Sequence, residues 1–115
     1  ARAGAELVKF PWGNDEPNDD FLPCNIWQGR FPVQNTCLDG HYGTAPVDVF
    51  APNPAGLFNM CGNVWEWTQG GGKVEFLGGG SWVTGHKQTQ CSKLADLGGR
   101  HSYIRGNTLG FRCAR

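Results

Sequence analysis

The sequence has few charged residues and no cluster of one sign, and this lack excludes several classes of protein. Ten Lys and Arg balance ten Asp and Glu over 115 residues, so the formal net charge is zero. Nucleic-acid binding is not expected, because displacing phosphate counterions requires clustered Lys and Arg. Long apolar runs are also absent: they extend no further than Val64-Trp65 or Phe76-Leu77, whereas a membrane span needs about 20 residues. We therefore expect no nucleic acid partner and no membrane insertion.

Helical periodicity is missing as well, since Gly or Pro interrupts almost every window of the sequence. The chain has 18 Gly and 7 Pro, but 5 Trp and 7 Phe supply large apolar side chains that disordered chains lack. This composition predicts one folded, loop-rich domain with few helices and short strands. The predicted strands are 5–10, 46–50, 62–68, 74–77, 81–84 and 110–114.

Cysteine is well represented, with five residues, yet no CxxC pair indicates a zinc or thioredoxin-type site. This usage favours an oxidising compartment: the secretory pathway, the extracellular space or another oxidising lumen. We therefore expect disulfides. Several connectivities of the five thiols remain open, and the spacing does not rank them.

Several segments of the sequence together resemble the formylglycine-generating enzyme, or sulfatase-modifying factor, family. They are 10–14 (FPWGN), 25–48 (NIWQGRFPVQNTCLDGHYGTAPVD), 56–68 (GLFNMCGNVWEWT), 79–82 (GGSW) and 109–114 (LGFRCA). The likeness is collinear from residue 1 to 115 and covers what resembles the second half of the family domain. It implies one sulfatase-modifying-factor-like domain over 1–115 that lacks the N-terminal part of the family domain.

The resemblance implies a fold and a chemistry. The expected fold is α+β, irregular and loop-rich: the formylglycine-generating-enzyme variant of the C-type-lectin-like fold, with short antiparallel strands. The family's maturase uses oxygen and copper held by two Cys to oxidise a sulfatase Cys to formylglycine, and copper(I) prefers such soft thiolates. Aligned from Gly79-Gly80-Ser81, those two positions hold Thr84 and Thr89 here. Copper is therefore not expected.

Other family positions near this pair are retained. Trp65 and Ser81 resemble the family's oxygen-pocket residues, and the nearest thiol is Cys91. A register shifted by two residues would instead place His86 and Cys91 at the copper positions, a mixed pair that the family does not use. Cys91 is interpreted as half of a disulfide or as a buried thiol.

The family's calcium positions correspond to two sets of residues here, and calcium prefers six to eight oxygen ligands drawn from loops. Ile26, His41, Gly62 and Val64 would contribute main-chain carbonyls. For Glu66, an ion-paired or N–H-capping carboxylate is the alternative to calcium, and Arg112 is expected in a buried ion pair. The first set is Asn25, Ile26, Asp39 and His41, and the second is Asn59, Gly62, Val64 and Glu66.

Segment 83–108 departs from the family pattern almost everywhere except its end. We therefore expect a calcium-stabilised, non-catalytic binding or scaffold module, or a subunit of a larger assembly, whose protein partner contacts residues 83–108. The alternative is a copper- and oxygen-dependent maturase, or another oxygen-using relative, with its missing ligands supplied elsewhere.

Overall fold

Little of the chain forms regular secondary structure, as the composition predicted. A computed structural model describes residues 7–68, 76–96 and 105–113. The strands are β1 (Trp65–Thr68), β2 (Phe76–Gly78), β3 (Leu94–Asp96) and β4 (Leu109–Gly110), with a 3-10 helix at His86–Thr89. They form one sheet in the order β3-β2-β1-β4.

The central strand β1 is the most regular part of the chain, because its Trp-Glu-Trp-Thr sequence is rich in residues that favour strands. It pairs antiparallel with β2 and parallel with β4, so the sheet is mixed rather than wholly antiparallel. Glu66 lies between two glycines in this register, Gly78 on one side and Gly110 on the other. A Cβ atom at Gly110 would lie 2.8 Å from Val64 Cγ2, so the missing side chain allows β4 to approach β1.

Three predicted strands overlap observed ones: 62–68 contains β1, and 74–77 and 110–114 overlap β2 and β4. Residues 74, 75 and 114 lie outside the described part of the chain. The prediction missed β3, which lies inside the divergent segment 83–108. It pairs antiparallel with β2. A strand of three residues carries no local sequence signal of such long-range pairing.

Two predicted strands are wrong, and a third is reduced to one bridge. Residues 46–50 and 81–84 form turns and bends. In segment 81–84, the Thr84 hydroxyl accepts a hydrogen bond from Ser81 N and donates one to Ser81 O, each 2.9 Å long. Such local bonds compete with a strand ladder for the backbone. Of 5–10, residues 5 and 6 are outside the described chain, and Phe10 forms only an isolated bridge with Gly13.

The core is small and is supplemented by buried polar side chains. Its apolar members are Phe10, Cys24, Ile26, Ala45, Cys61 and Leu77. Trp12 stacks on Phe10 with ring centroids 4.9 Å apart. The buried polar residues are Asn25, Gln28, Asn53, Asn63, Ser81 and Thr89. In a domain this small, such hydrogen-bonded groups hold loops that apolar packing alone would leave mobile. The described residues include no helix of the length and apolarity needed to cross a membrane.

Candidate functional site

Asn63 is the polar centre that joins the loops of the candidate site. Its side-chain Oδ1 accepts hydrogen bonds from Ala45 N (2.8 Å) and Asn25 Nδ2 (3.2 Å), and its Nδ2 donates to Ala45 O (3.1 Å). Its main chain adds bonds with Asn25 O (2.8 Å) and Trp82 N (2.9 Å). The residue is buried and has φ of 65°, a conformation that Asn tolerates better than most residues. Asn63 therefore fixes three separate segments at one point.

The four residues of the first predicted calcium set are brought together by buried Gln28. Its Nε2 donates to Ile26 O (2.7 Å), while its Oε1 accepts from Asp39 N (3.0 Å). Asp39 Oδ1 then accepts from His41 N at 2.9 Å. Asn25 Nδ2 donates to Gly43 O (2.8 Å), close to His41 in the chain. The loop at Asn25 and the loop at Asp39 are therefore held against each other.

The donor atoms of this first set suit a calcium ion. Asp39 Oδ2 is buried and has no hydrogen-bond partner among the described residues, a costly state for a carboxylate oxygen unless a cation or water satisfies it. Within the described ranges, no three His, Cys, Asp or Glu side chains converge on a metal position. Any calcium here therefore depends on amide and carbonyl oxygens in addition to Asp39, a mixture that calcium accepts.

Two residues of the second set, Asn59 and Glu66, meet at Arg112. Arg112 donates from Nε to Glu66 Oε2 (2.6 Å) and from Nη2 to Glu66 Oε1 (2.5 Å), a bidentate ion pair. It also donates to Asn59 O (2.7 Å) and Phe58 O (3.0 Å). The hydrogen bond to Glu66 raises the pKa of Arg112, so the guanidinium stays charged. The expected ion pair of Arg112 is confirmed, with Glu66 as its partner, but it is not buried: 37% of the Arg112 side chain and 22% of the Glu66 side chain are exposed.

A calcium ion at the second set would share Glu66 with this guanidinium. Asn59, Val64 and Glu66 line a cleft of about 400 Å³ that Asp48 and Arg112 also line. Asn59 Oδ1 is buried without a hydrogen-bond partner in the described chain. The main chain of Gly62 donates from N to Gly79 O (2.7 Å). Three of the four residues thus line one cleft, but a positive charge already neutralises the carboxylate.

The two residues at the expected copper positions lie side by side. A Cβ atom built at Gly80 would be 2.9 Å from Thr84 Oγ1 and 3.3 Å from Thr89 Cγ2, so both side chains meet at Gly80. The Thr84 hydroxyl bonds to the Ser81 backbone, and the Thr89 hydroxyl donates to His86 O at 2.6 Å. Both hydroxyls are therefore engaged with the main chain.

The shifted alternative does not place its two residues in one cleft. His86 lines a cleft with Trp27 and Thr84, and its Nε2 lies 3.8 Å from Glu16 Oε2. Cys91 lines a different cleft with Met60 and Glu66, and its main-chain N donates to Lys9 O at 2.9 Å. The geometry thus favours the register with Thr84 and Thr89.

The two expected oxygen-pocket residues have different environments. Ser81 is fully buried beside Thr84, and its hydroxyl has no hydrogen-bond partner in the described part of the chain. Trp65 is half-buried at the start of β1, where its main-chain N donates to Thr108 O at 2.7 Å.

A cleft of about 520 Å³ opens next to Thr84, and we call it the Trp27 cleft. Its walls include Trp27, Phe31, Val83 and His86. Trp27 and Phe31 pack edge to face with centroids 5.0 Å apart, and Trp27 N donates to Thr84 O at 3.0 Å. The Trp27 Nε1 donor is buried and unpaired within the described chain. An occupant of this cleft would need an acceptor for that N–H group and apolar surface for the rings.

The described chain is a loop-rich domain with a small mixed four-stranded sheet and polar side chains buried at the loop junctions. The chain belongs to the sulfatase-modifying factor family: the family's Sulfatase-modifying factor enzyme 1-like domain matches residues 1–115. The family and the fold class that the sequence predicted are thereby confirmed. The family binds calcium and copper.

The relatives include both active and inactive proteins. The chain is 55% identical to the formylglycine-generating enzyme of Thermomonospora curvata over 67 residues, 58% of this chain and 22% of the relative. It is 38% identical to the formylglycine-generating enzyme of Mus musculus, covering 98% of this chain and 35% of that protein. It is also 35% identical to the inactive C-alpha-formylglycine-generating enzyme 2 of Mus musculus, covering 99% and 39%. The chain therefore spans well under half the length of these relatives.

A solved structure supports the fold. Treponema denticola variable protein 1 superposes with a TM-score of 0.64 at 20% identity, covering 96% of this chain and 41% of that one. At this identity the likeness concerns the fold alone.

Sequence reasoning missed the residues that position the site. Asn63 and Gln28 carry the hydrogen bonds that assemble the first calcium set, yet neither was singled out. The Gly62-Asn63 pair did offer a signal, because both residues favour the left-handed conformation that they adopt. Gln28 offered none, since its partner Asp39 lies in another loop that only the fold brings against it.

Proposed function

We propose that this chain is a non-catalytic, calcium-stabilised binding or scaffold module of the formylglycine-generating enzyme family. The observation that carries the proposal is the meeting of Thr84 and Thr89 at Gly80, where the family alignment expects two copper-binding Cys. Hydroxyl oxygens are hard ligands, and copper(I) selects soft thiolates. With both hydroxyls bonded to the main chain, this position would hold no copper.

Binding is assigned to the Trp27 cleft and to segment 83–108, of which residues 97–104 lie outside the described part of the chain. Val83, Thr84 and His86 belong both to this divergent segment and to the wall of the cleft. The unpaired Trp27 Nε1 donor beside two aromatic rings suits an acceptor-bearing, partly apolar segment of a protein partner. A module of this kind, working in the secretory pathway or another oxidising lumen, agrees with the five cysteines.

An activity assay tests the loss of catalysis. The purified chain, loaded with copper(I) under oxygen, is incubated with a sulfatase peptide carrying the CxPxR motif, and formylglycine is measured by mass spectrometry. We expect no conversion, because no thiolate pair is available at Gly80. The Thermomonospora curvata enzyme serves as the active control. Conversion by this chain above the copper-free blank would overturn the proposal.

One observation favours the alternative, a maturase or another oxygen-using relative that obtains ligands from elsewhere. The fully buried Ser81 hydroxyl has no partner in the described chain, and Trp65 is retained. Copper retained through gel filtration at one ion per chain, measured on the assembly purified from its native source, would support this alternative. Copper absent from that assembly supports the non-catalytic module.

Calcium is expected to stabilise the fold through the first set. A ligand at 100 times its dissociation constant adds about 2.7 kcal/mol to the free energy of unfolding, so EDTA should lower the melting temperature by several degrees. Asp39→Asn should remove most of this difference, because it neutralises the single carboxylate of the first set. Asp20→Asn is the control, since Asp20 is exposed and belongs to neither set, and it should keep the full EDTA effect.

The calcium hypothesis also has a clear contrary result. If EDTA leaves the melting temperature of the wild-type chain unchanged, neither set binds calcium with useful affinity. If Asp39→Asn responds to EDTA as fully as the wild type, the ion is at the second set. Glu66→Gln then separates the contribution of calcium from that of the Arg112 ion pair. The loss of stability that this variant causes should persist in EDTA only if the ion pair is responsible for it.

A further inference from the structure

Cys24 and Cys61 are the buried thiols of the chain, at 2% and 4% exposure, and they belong to one core cluster with Ile26. The backbones that carry them run side by side. Asn63 N donates to Asn25 O at 2.8 Å, and a Cβ atom at Gly62 would lie 2.5 Å from the same oxygen. Residues that are 37 positions apart in sequence, from 24 to 61, are therefore neighbours in space.

The two thiols contact each other. A hydrogen bond with the Cys24 side chain, together with burial, raises the pKa of Cys61 well above its ordinary value. Cys61 is therefore a protonated thiol at neutral pH, adjacent to its partner. All five cysteines are free thiols in this structure, so the pair is in its reduced form.

The other three cysteines have different surroundings. Cys113 is exposed, while Cys37 is half-buried and its thiol lies 3.8 Å from Asn35 O. Cys91 lies in the cleft with Met60 and Glu66 and acts on Cys61 only through its charge. Side-chain contact between two thiols is a requirement of disulfide geometry, which needs Cβ atoms about 4 Å apart. Among the described cysteines, Cys24 and Cys61 meet it best.

A route for a small oxidant reaches this pair. Both residues line a cavity of about 340 Å³ whose wall includes Trp12, Phe21 and Met60. Its lining is mostly aromatic, aliphatic and Pro side chains, with no Lys or Arg to lower a thiol pKa. Thiol–disulfide exchange at this pair is therefore expected to be slow in the folded protein. It should be fastest while the chain is folding.

We propose that Cys24 and Cys61 form a disulfide when the chain folds in an oxidising compartment. With a small-molecule disulfide as oxidant, one protein thiolate attacks a sulfur of the oxidant, releases one small thiol and leaves a mixed disulfide. The second protein thiolate then displaces the second small thiol. Each protein thiol loses its proton, and the two electrons reduce the oxidant to two thiols, so the step balances.

The bond would close a loop that contains the whole first calcium set and Asn59 of the second. Cross-linking removes conformational freedom from the unfolded chain, and the effect grows with loop length. A Cys24–Cys61 bond would therefore stabilise the part of the chain that has the least regular structure.

The test refolds the full chain in buffers of oxidised and reduced glutathione, followed by alkylation and proteolytic mapping. We expect the oxidised protein to lose two thiol hydrogens and to yield a linked peptide pair containing Cys24 and Cys61. The melting temperature should fall by roughly 5 °C or more on adding reductant, as expected for loss of such a cross-link. Cys37→Ser is the matched control and should keep both the linked peptides and the reductant effect.

Cys24→Ala and Cys61→Ala should each lose the linked peptides and the reductant effect. If either variant does not fold, the mapping of the wild-type chain decides the matter alone. Five alkylated thiols after refolding in the most oxidising buffer would overturn the proposal. Linked peptides that join Cys24 or Cys61 to Cys91, Cys37 or Cys113 instead would overturn it equally.

Discussion

The double variant Thr84→Cys/Thr89→Cys is expected to bind about one copper(I) ion per chain, where the wild type binds none at this position. The two side chains already meet at Gly80: a Cβ atom built there would lie 2.9 Å from Thr84 Oγ1 and 3.3 Å from Thr89 Cγ2. Two thiolates on adjacent side chains are the minimum that copper(I) requires, and thiolate affinity for this ion is high. The change therefore supplies ligands without moving the backbone.

The cost to folding should be small. Cys is close to Thr in volume, but Thr84→Cys replaces a hydroxyl that accepts from Ser81 N and donates to Ser81 O. Loss of such a hydrogen bond costs about 1 kcal/mol. We expect a melting temperature a few degrees below the wild type and an otherwise unchanged fold.

Copper is measured by elemental analysis after reconstitution with copper(I) and gel filtration in the absence of oxygen. The single variants are the controls, because one added thiol should retain far less copper than two. The copper content of the wild type, treated in the same way, is subtracted. A folded double variant with no more copper than the wild type would mean that the family's register does not apply to segment 83–108.

Gly62→Ala is expected to destabilise the chain more than a Gly→Ala change at any other glycine that the structure describes, with a loss of roughly 3 kcal/mol or more, on the scale of a strained or overpacked buried site. The new Cβ would lie 2.5 Å from Asn25 O and 3.1 Å from both Asn25 N and Asn25 C. These are backbone atoms in a hydrogen-bonded junction, so they cannot move aside cheaply. Gly62 also has φ of 70°, which a side chain disfavours.

Gly56→Ala separates the clash from the backbone conformation. Gly56 has φ of 76°, close to that of Gly62, but a Cβ atom there meets nothing within 4 Å. Its loss should be about 1 kcal/mol, the cost of the left-handed conformation alone. Urea unfolding followed by Trp fluorescence measures both variants. Equal losses would contradict the claim that close approach of the Asn25 backbone requires glycine at position 62.

Gly62→Ala should also weaken calcium binding if the variant folds. Gly62 precedes Asn63, and the Asn63 side chain holds Asn25 and Ala45 together. Displacing this junction separates the loop of Asn25 from that of Asp39. The EDTA effect on the melting temperature should therefore shrink in Gly62→Ala but not in Gly56→Ala.

Local sequence was sufficient where a segment's own residues decide its structure. The Trp-Glu-Trp-Thr stretch predicted β1 because β-favouring residues follow one another without Gly or Pro. The loop-rich character followed from the Gly and Pro content. The ion pair of Arg112 was expected, and Glu66 was expected in either an ion pair or a calcium site, because a charge between two Trp residues needs a partner.

Sequence was insufficient where a distant segment decides the outcome. The strand predicted at 46–50 is a turn, and β3 went unpredicted because its partner β2 lies some twenty residues earlier. Short strands have weak intrinsic preference, so tertiary pairing overrides local pattern.

By itself, then, the sequence determined the family and the loop-rich class, and it predicted that Thr84 and Thr89 replace a thiol pair and that two sets of residues supply oxygen ligands. Those features depend on residue identity and spacing, which a linear chain records directly. Only the tertiary structure decided that Arg112 is the partner of Glu66, that Gln28 and Asn63 assemble the first set, and that Cys24 lies against Cys61. Each of these contacts joins residues from separate loops, and their meeting depends on how the whole backbone packs.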